Sequence, residues 1–171
     1  MVTPAPVTPP ATPLETRLRE LAGAVPDPEL PMVTLAELGV LRALRVMAPG
    51  RVEVELTPTY TGCPALESMA ADVERVLHDE GIPDVTVRTV LSPPWTTDAI
   101  SAEGRRKLAE SGIAPPGPRG AGGPVAVDLA VRCPHCGSTD TKLLSRFSST
   151  ACKALRRCEA CCEPFDHFKE L

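Results

Sequence analysis

Two cysteine pairs near the C-terminus restrict this chain more than any other feature. Cys133-Pro134-His135-Cys136 and Cys158-Glu159-Ala160-Cys161 are CxxC knuckles with 21 residues between them. Two thiolates three apart on a tight turn grip one ion, and two such turns at the ends of facing hairpins complete a tetrahedral sulfur shell. The stretch from 125 to 171 is too short to build a sufficient apolar core, so metal binding is expected to supply much of its folding energy. The expected ligands are Cys133, Cys136, Cys158 and Cys161, holding a structural zinc, with iron the alternative for a sulfur tetrahedron. Cys162 adjoins Cys161 and Cys152 lies six residues before Cys158, so each stands as a substitute ligand. Cys152 reads equally as a packed or a reactive thiol. His135 and His167 read as knuckle and surface positions outside the shell.

Small metal ribbons often meet nucleic acid, so local charge matters. From Ala126 onward, seven Lys or Arg stand against six Asp or Glu. Four thiolates around Zn²⁺ add a further -2, leaving about -1, which does not favour a phosphate backbone. The whole chain carries -4, which disfavours polyanions and anionic membranes alike. No apolar run approaches the roughly 20 residues needed to span a bilayer, and no secretory signal pattern opens the chain. Seven cysteines, clustered in CxxC pairs, fit reduced thiols in the cytoplasm better than a disulfide framework. The expected partners are proteins, with neither nucleic acid nor membrane, and an oligomer is compatible with the sequence.

The 171 residues suffice for one ordinary core and a smaller second unit. Residues 1–11 are proline-rich without hydrophobic period and read as a flexible tail. Thr12, Pro13 and Glu15 give an N-cap, a first-position proline and a capping box, ahead of apolar Leu14, Leu18, Leu21, Ala22 and Val25. A short helix follows at 35–38. Segments 40–47 and 51–57 flank Ala48-Pro49-Gly50 as a hairpin with one wet face. Residues 64–80 carry Leu66, Met69, Ala70, Val73, Val76 and Leu77 at helical spacing, and 84–91 read as a third strand. Trp95 reads as a hydrophobic plug that could also line a pocket near Cys63. A polar helix runs to about Ser111, and 115–124 is a Pro/Gly linker. The expected fold class is α+β: a small α-β-β-α-β domain at 12–114, its three-stranded sheet packed by helices, then a zinc-ribbon-like β module at 125–171. The three phenylalanines, all in the last 25 residues, suggest a separate C-terminal core.

Cys63 stands between the second strand and the long helix. Pro64 disfavours the α region for Cys63 and suits the first helical position, which makes Cys63 an expected N-cap. A thiol there faces unpaired amides and the positive end of the helix dipole, which lower its pKa. The plainer reading is a buried apolar filler. Asp27 and Glu29 lie close together in the proline-stiffened loop VPDPELP, and their residue types alone favour solvated carboxylates. His78, fifteen residues along the same helix, is roughly 22 Å from Cys63 and cannot act as its base. Without a base, Cys63 is better suited to holding metal than to nucleophilic catalysis.

DPELP at 27–31 and TPTYTGCP at 57–64 make residues 14–111 resemble the cytosolic iron-sulfur assembly factors. Together with SPPWTTDAI at 92–100 and the terminal CPHCGS…FSSTACKALRRCEACCEPFDHFK, the arrangement is similar to the accessory-protein family of the phenylacetyl-coenzyme A epoxidase system. The resemblance implies a functional thiol at Cys63, an acidic loop at Asp27 and Glu29 with Thr61 nearby, and zinc on the two CxxC pairs. It also implies a non-enzymatic role in maturing the oxygenase, with transient Fe or Fe-S at Cys63 and the epoxidase proteins as partners. Two alternatives remain: a structural interaction protein of the complex without metal transfer, and a Cys63-dependent thiol enzyme acting on CoA esters.

Overall fold

The computed structural model describes residues 12–60, 62–117 and 131–169. The expected tail at 1–11, Thr61 and all of the linker beyond 117 lie outside the described residues. Helix α1 (Pro13–Gly23) starts where its capping box predicts: Thr12 accepts from the Glu15 amide, and the Glu15 carboxylate accepts from the Thr12 amide. Thr34 and Glu37 repeat the device on the short helix α2 (Leu35–Leu38). Leu14 is exposed, so the buried face of α1 begins at Leu18.

Strands β1 (Leu41–Ala48) and β2 (Arg51–Leu56) pair antiparallel, and β3 (Asp84–Thr89) adds parallel to β2. The β2-to-β3 crossover is helix α3 (Ala65–Asp79), which buries Met69, Val73 and Leu77, one turn apart, against the sheet. Val52, Val54 and Leu56 face that core from β2. The opposite face is wet, with Arg45–Glu55 at 2.8 Å and Arg88–Glu53 at 3.3 Å across strands.

After β3 the chain makes a 3-10 turn (Thr97–Ala99) and helix α4 (Ala102–Glu110), tied to α2 by Lys107 Nζ–Glu37 Oε1 at 2.6 Å. Strand β4 (Ile113–Ala114) then leaves the first sheet altogether and pairs parallel with β7 (Pro164–Phe168). The second sheet runs β4-β7-β6-β5, with β5 (Thr141–Ser145) and β6 (Lys153–Cys158) antiparallel to their neighbours. The molecule is thus α+β, a mixed three-stranded sheet under helices joined to a four-stranded sheet that borrows its outer strand from the first segment.

A separate aromatic core at the C-terminus does not form. Only Phe165 fills the small cluster, with Ala114, Cys133 and Cys158. Phe147 is 64% exposed, whereas Phe168 is wholly buried in the main core and meets Trp95 at 5.9 Å between ring centroids. Trp95 also donates its indole N–H to the Leu38 carbonyl at 2.9 Å. The reason is register: β7 presents Phe165 and Phe168 at opposite ends of one short strand, and its far end lies on the helical domain. Phe168→Ala should therefore destabilise the whole chain by about 3–5 kcal/mol, with altered Trp95 fluorescence, as read by urea unfolding.

Candidate functional site

The four CxxC thiols converge. The Sγ atoms of Cys133, Cys136, Cys158 and Cys161 all lie within 4.8 Å of one another, with Cys133–Cys161 at 3.8 Å and Cys136–Cys158 at 3.5 Å. A tetrahedral ion with metal–sulfur bonds of about 2.3 Å has sulfur–sulfur edges of about 3.8 Å, so the donor set fits such an ion. The two knuckles repeat one geometry. The Cys133 amide donates to the Ser138 carbonyl and the Cys158 amide to the Glu163 carbonyl, both at 2.9 Å. The amides of Cys161 and Ala160 stabilise the Cys158 thiolate and hold its pKa below the ordinary thiol range.

This repetition decides the two alternative ligands. The residue after the second cysteine of each knuckle is left-handed: Gly137 at φ 76° and Cys162 at φ 65°. Cys162 is therefore the exposed turn residue equivalent to Gly137, and its side chain stands outside the sulfur cluster. Cys152 is excluded by distance. It precedes the start of β6 and Cys158 ends that strand, so six extended residues set them roughly 20 Å apart. His135 and His167 are also outside the cluster. His167 is half-buried rather than a plain surface group, and burial, assisted by the Arg156 charge, depresses its pKa to about 4.

Cys63, half-buried, packs against the main core in the turn before α3. Pro64 rather than Cys63 is the helix N-cap, and α3 starts at Ala65. The Ala65 amide favours the thiolate, but burial outweighs it and Glu29 adds to burial, so the thiol is raised above its ordinary range. The expected lowering of the Cys63 pKa is thus overturned. The dipole effect fades within a turn and is worth little against desolvation.

The acidic loop is correspondingly different from a solvated one. Asp27 is 3% exposed, and its Oδ1 accepts from the amides of Glu29 and Leu30, each at 2.8 Å. Burial raises its pKa despite those two bonds. Glu29 is raised by burial and then by Asp27, with Lys153 opposing. Two further residues belong here. Tyr60, the sole tyrosine, is pushed up to about 12 by burial and then by Cys63 and Glu29. Cys152, 2% exposed, feels Glu29 and Asp27 and acts in turn on Tyr60. The presence of Tyr60 inside TPTYTGCP was a local signal; no local signal links Cys152 to the acidic loop. A cavity of about 260 Å³ opens beside this turn, walled by Thr57, Pro58, Thr59, Tyr60, Leu91, Pro94 and Trp95. His78 is spoken for at the far helix end, its Nδ1 2.7 Å from the Ile82 carbonyl.

Two outcomes check this geometry. Because the Glu29 carboxylate raises the Cys63 pKa, Glu29→Gln should lower it, and Cys63 should label faster with iodoacetamide at pH 8, followed by mass spectrometry of the metal-loaded ribbon form. Cys162→Gly should keep full metal stoichiometry and gain about 1 kcal/mol by relieving the left-handed backbone, measured by urea unfolding with elemental analysis.

The chain is similar to known proteins on both sides of the molecule. Residues 15–92 match the family described as iron-sulfur cluster assembly protein, and residues 119–169 match the PaaD zinc beta ribbon domain. An Escherichia coli K12 protein, provisionally named as one of the subunits of 1,2-phenylacetyl-CoA epoxidase, is 44% identical over 87% of this chain and 88% of its own length. A Staphylococcus aureus protein named Fe-S protein maturation auxiliary factor SufT is 35% identical, covering 50% of this chain and 97% of its own. The crystal structure of a domain of unknown function, DUF59, from Bacillus anthracis superposes with a TM-score of 0.51 at 28% identity, over 55% of this chain and 90% of that one. An iron-sulfur assembly domain joined to a PaaD ribbon, with this similarity along nearly the full length, makes the chain a member of the PaaD family.

Proposed function

We propose that this chain is a non-enzymatic maturation factor for the multicomponent phenylacetyl-CoA epoxidase, with Cys63 handling iron or an iron-sulfur cluster and a zinc-loaded ribbon meeting an oxygenase component. The observation that carries this reading is the company Cys63 keeps: Asp27, Glu29 and Tyr60, with His78 engaged elsewhere. A cysteine nucleophile needs a lowered pKa and a base. Cys63 has the opposite shift, which speaks against thiol chemistry on CoA esters. A thiol without a base, with two carboxylates acting on it, is better suited to a metal that must be taken up and released.

On this reading the four-cysteine ion is zinc, retained permanently, and its contribution is to fold and lock the two knuckles. Asp27 shapes the acidic turn through its two accepted amides, which leaves Glu29 the more accessible carboxylate. The names of the relatives, one an epoxidase component and one an iron-sulfur maturation factor, support the client class. Among the described residues no helix is long and apolar enough to cross a membrane. The clustered, reduced cysteines support a cytoplasmic place of action.

The test is reconstitution of the epoxidase with the Cys63→Ser protein. Client iron content and activity should fall by about tenfold or more while ribbon zinc stays at full occupancy. Unchanged iron and activity would refute the maturation role of Cys63.

A further inference from the structure

The two edges of the first sheet are finished differently. On the β1 edge the chain covers its own backbone: the Val46 amide donates to Glu15 Oε1 at 3.0 Å, and Arg19 Nη2 donates to the Arg42 carbonyl at 3.4 Å. Strand β3 ends the sheet on the other side. The Asp84 amide donates to the Gly50 carbonyl and the Val90 amide to the Leu56 carbonyl, and the β2–β3 register between them has no shift. Even-numbered residues therefore spend their backbone groups on β2, while Val85, Val87 and Thr89 turn theirs away from it. Among the described residues nothing hydrogen-bonds those three amides. Within Asp84–Thr89 there is no proline, lysine or bulge, the usual guards against strand pairing.

We propose that β3 is a self-association edge, pairing antiparallel with β3 of a second copy about a two-fold axis at Thr86 to give one six-stranded sheet. This register sets Val85 opposite the partner's Val87, where the outward amide and carbonyl of each residue can bond those of the other. It also sets Asp84 opposite the partner's Arg88, and an isologous interface makes that contact twice. Both side chains are more than half exposed. Within one copy Asp84 lies 3.6 Å from Arg51, and Arg88 lies 3.3 Å from Glu53. A row of alternating sign thus crosses the junction: Arg51, Asp84, the partner's Arg88, the partner's Glu53.

This charge pattern selects both the register and the occupant. Moving the pairing by two residues either way keeps the backbone bonds but sets Asp84 opposite the partner's Thr86 or the partner's Val90, and both ion pairs are lost. A strand that carries its own complement, acid before and base after its midpoint, fits a second copy of itself. The junction also has a consequence for the Cys63 turn. That turn follows β2, which runs parallel to β3. Antiparallel pairing of the two β3 strands sends the two Cys63 turns to opposite ends of the joined sheet, where each can meet a client of its own.

Analytical ultracentrifugation of the full-length, metal-loaded protein over a concentration series should show monomer passing to dimer and no further. Asp84→Arg and Arg88→Asp each create two like-charge pairs and should weaken dimerisation by about 10- to 100-fold. Mixing the two variants should restore it, because one copy then carries only positive and the other only negative charge at both positions. A wild-type chain that stays monomeric overturns the proposal. So do dimers that ignore both substitutions, or a mixture that does not recover. Should either variant lose its metal or its urea midpoint, hydrogen exchange on the wild-type protein decides: the Val85 and Val87 amides should gain protection as concentration rises, and no gain refutes the pairing.

Discussion

The contact on which this structure depends is Phe168 against Trp95. Phe168 is the last residue of the last strand and Trp95 follows the last strand of the first sheet, so their packing closes the chain from its end onto its middle. Both rings are buried, and burial of aromatics of this size is worth several kcal/mol. Strand β4 acts in the same direction, giving the second sheet an edge drawn from the helical segment. Two modules that could have been tethered beads are thereby fixed in relation to each other.

That fixation turns strand β6 into a bar with a different chemistry at each end. Cys158 closes the four-sulfur centre at one end, and Cys152, just before the other, is buried in the main core, where Glu29 and Asp27 act on it. Filling the sulfur centre organises the hairpins that hold β6, so the proposed zinc bears indirectly on where Cys152 is held. On this reading the ribbon presents a surface to a client while Cys152 and Phe168 anchor it in the main core.

The electrostatics of that site run against ordinary expectation for surface residues. Asp27, Glu29, Cys63, Cys152 and Tyr60 are all shifted towards their protonated forms, chiefly by burial. Groups held against their preference in this way cost stability and are characteristic of functional sites. The proline-stiffened loop makes the arrangement sustainable, because Asp27 satisfies two amides locally while its charge stays confined.

The local elements were legible in the sequence because they are written in local chemistry. Capping boxes at Thr12–Glu15 and Thr34–Glu37, the 3.6-residue spacing of Met69, Val73 and Leu77, and the CxxC spacing each act within a few residues. They determined the helices, the hairpin, the sulfur tetrahedron and Cys63 as a thiol beside a helix start. The tertiary structure alone decided the burial of Asp27, the sign of the Cys63 shift, the joining of β4 to β7, the departure of Phe168 from the small core and the entry of Cys152 into the main core. All five depend on desolvation and packing between stretches far apart in sequence, and neither composition nor periodicity carries information about which distant surface will exclude the water.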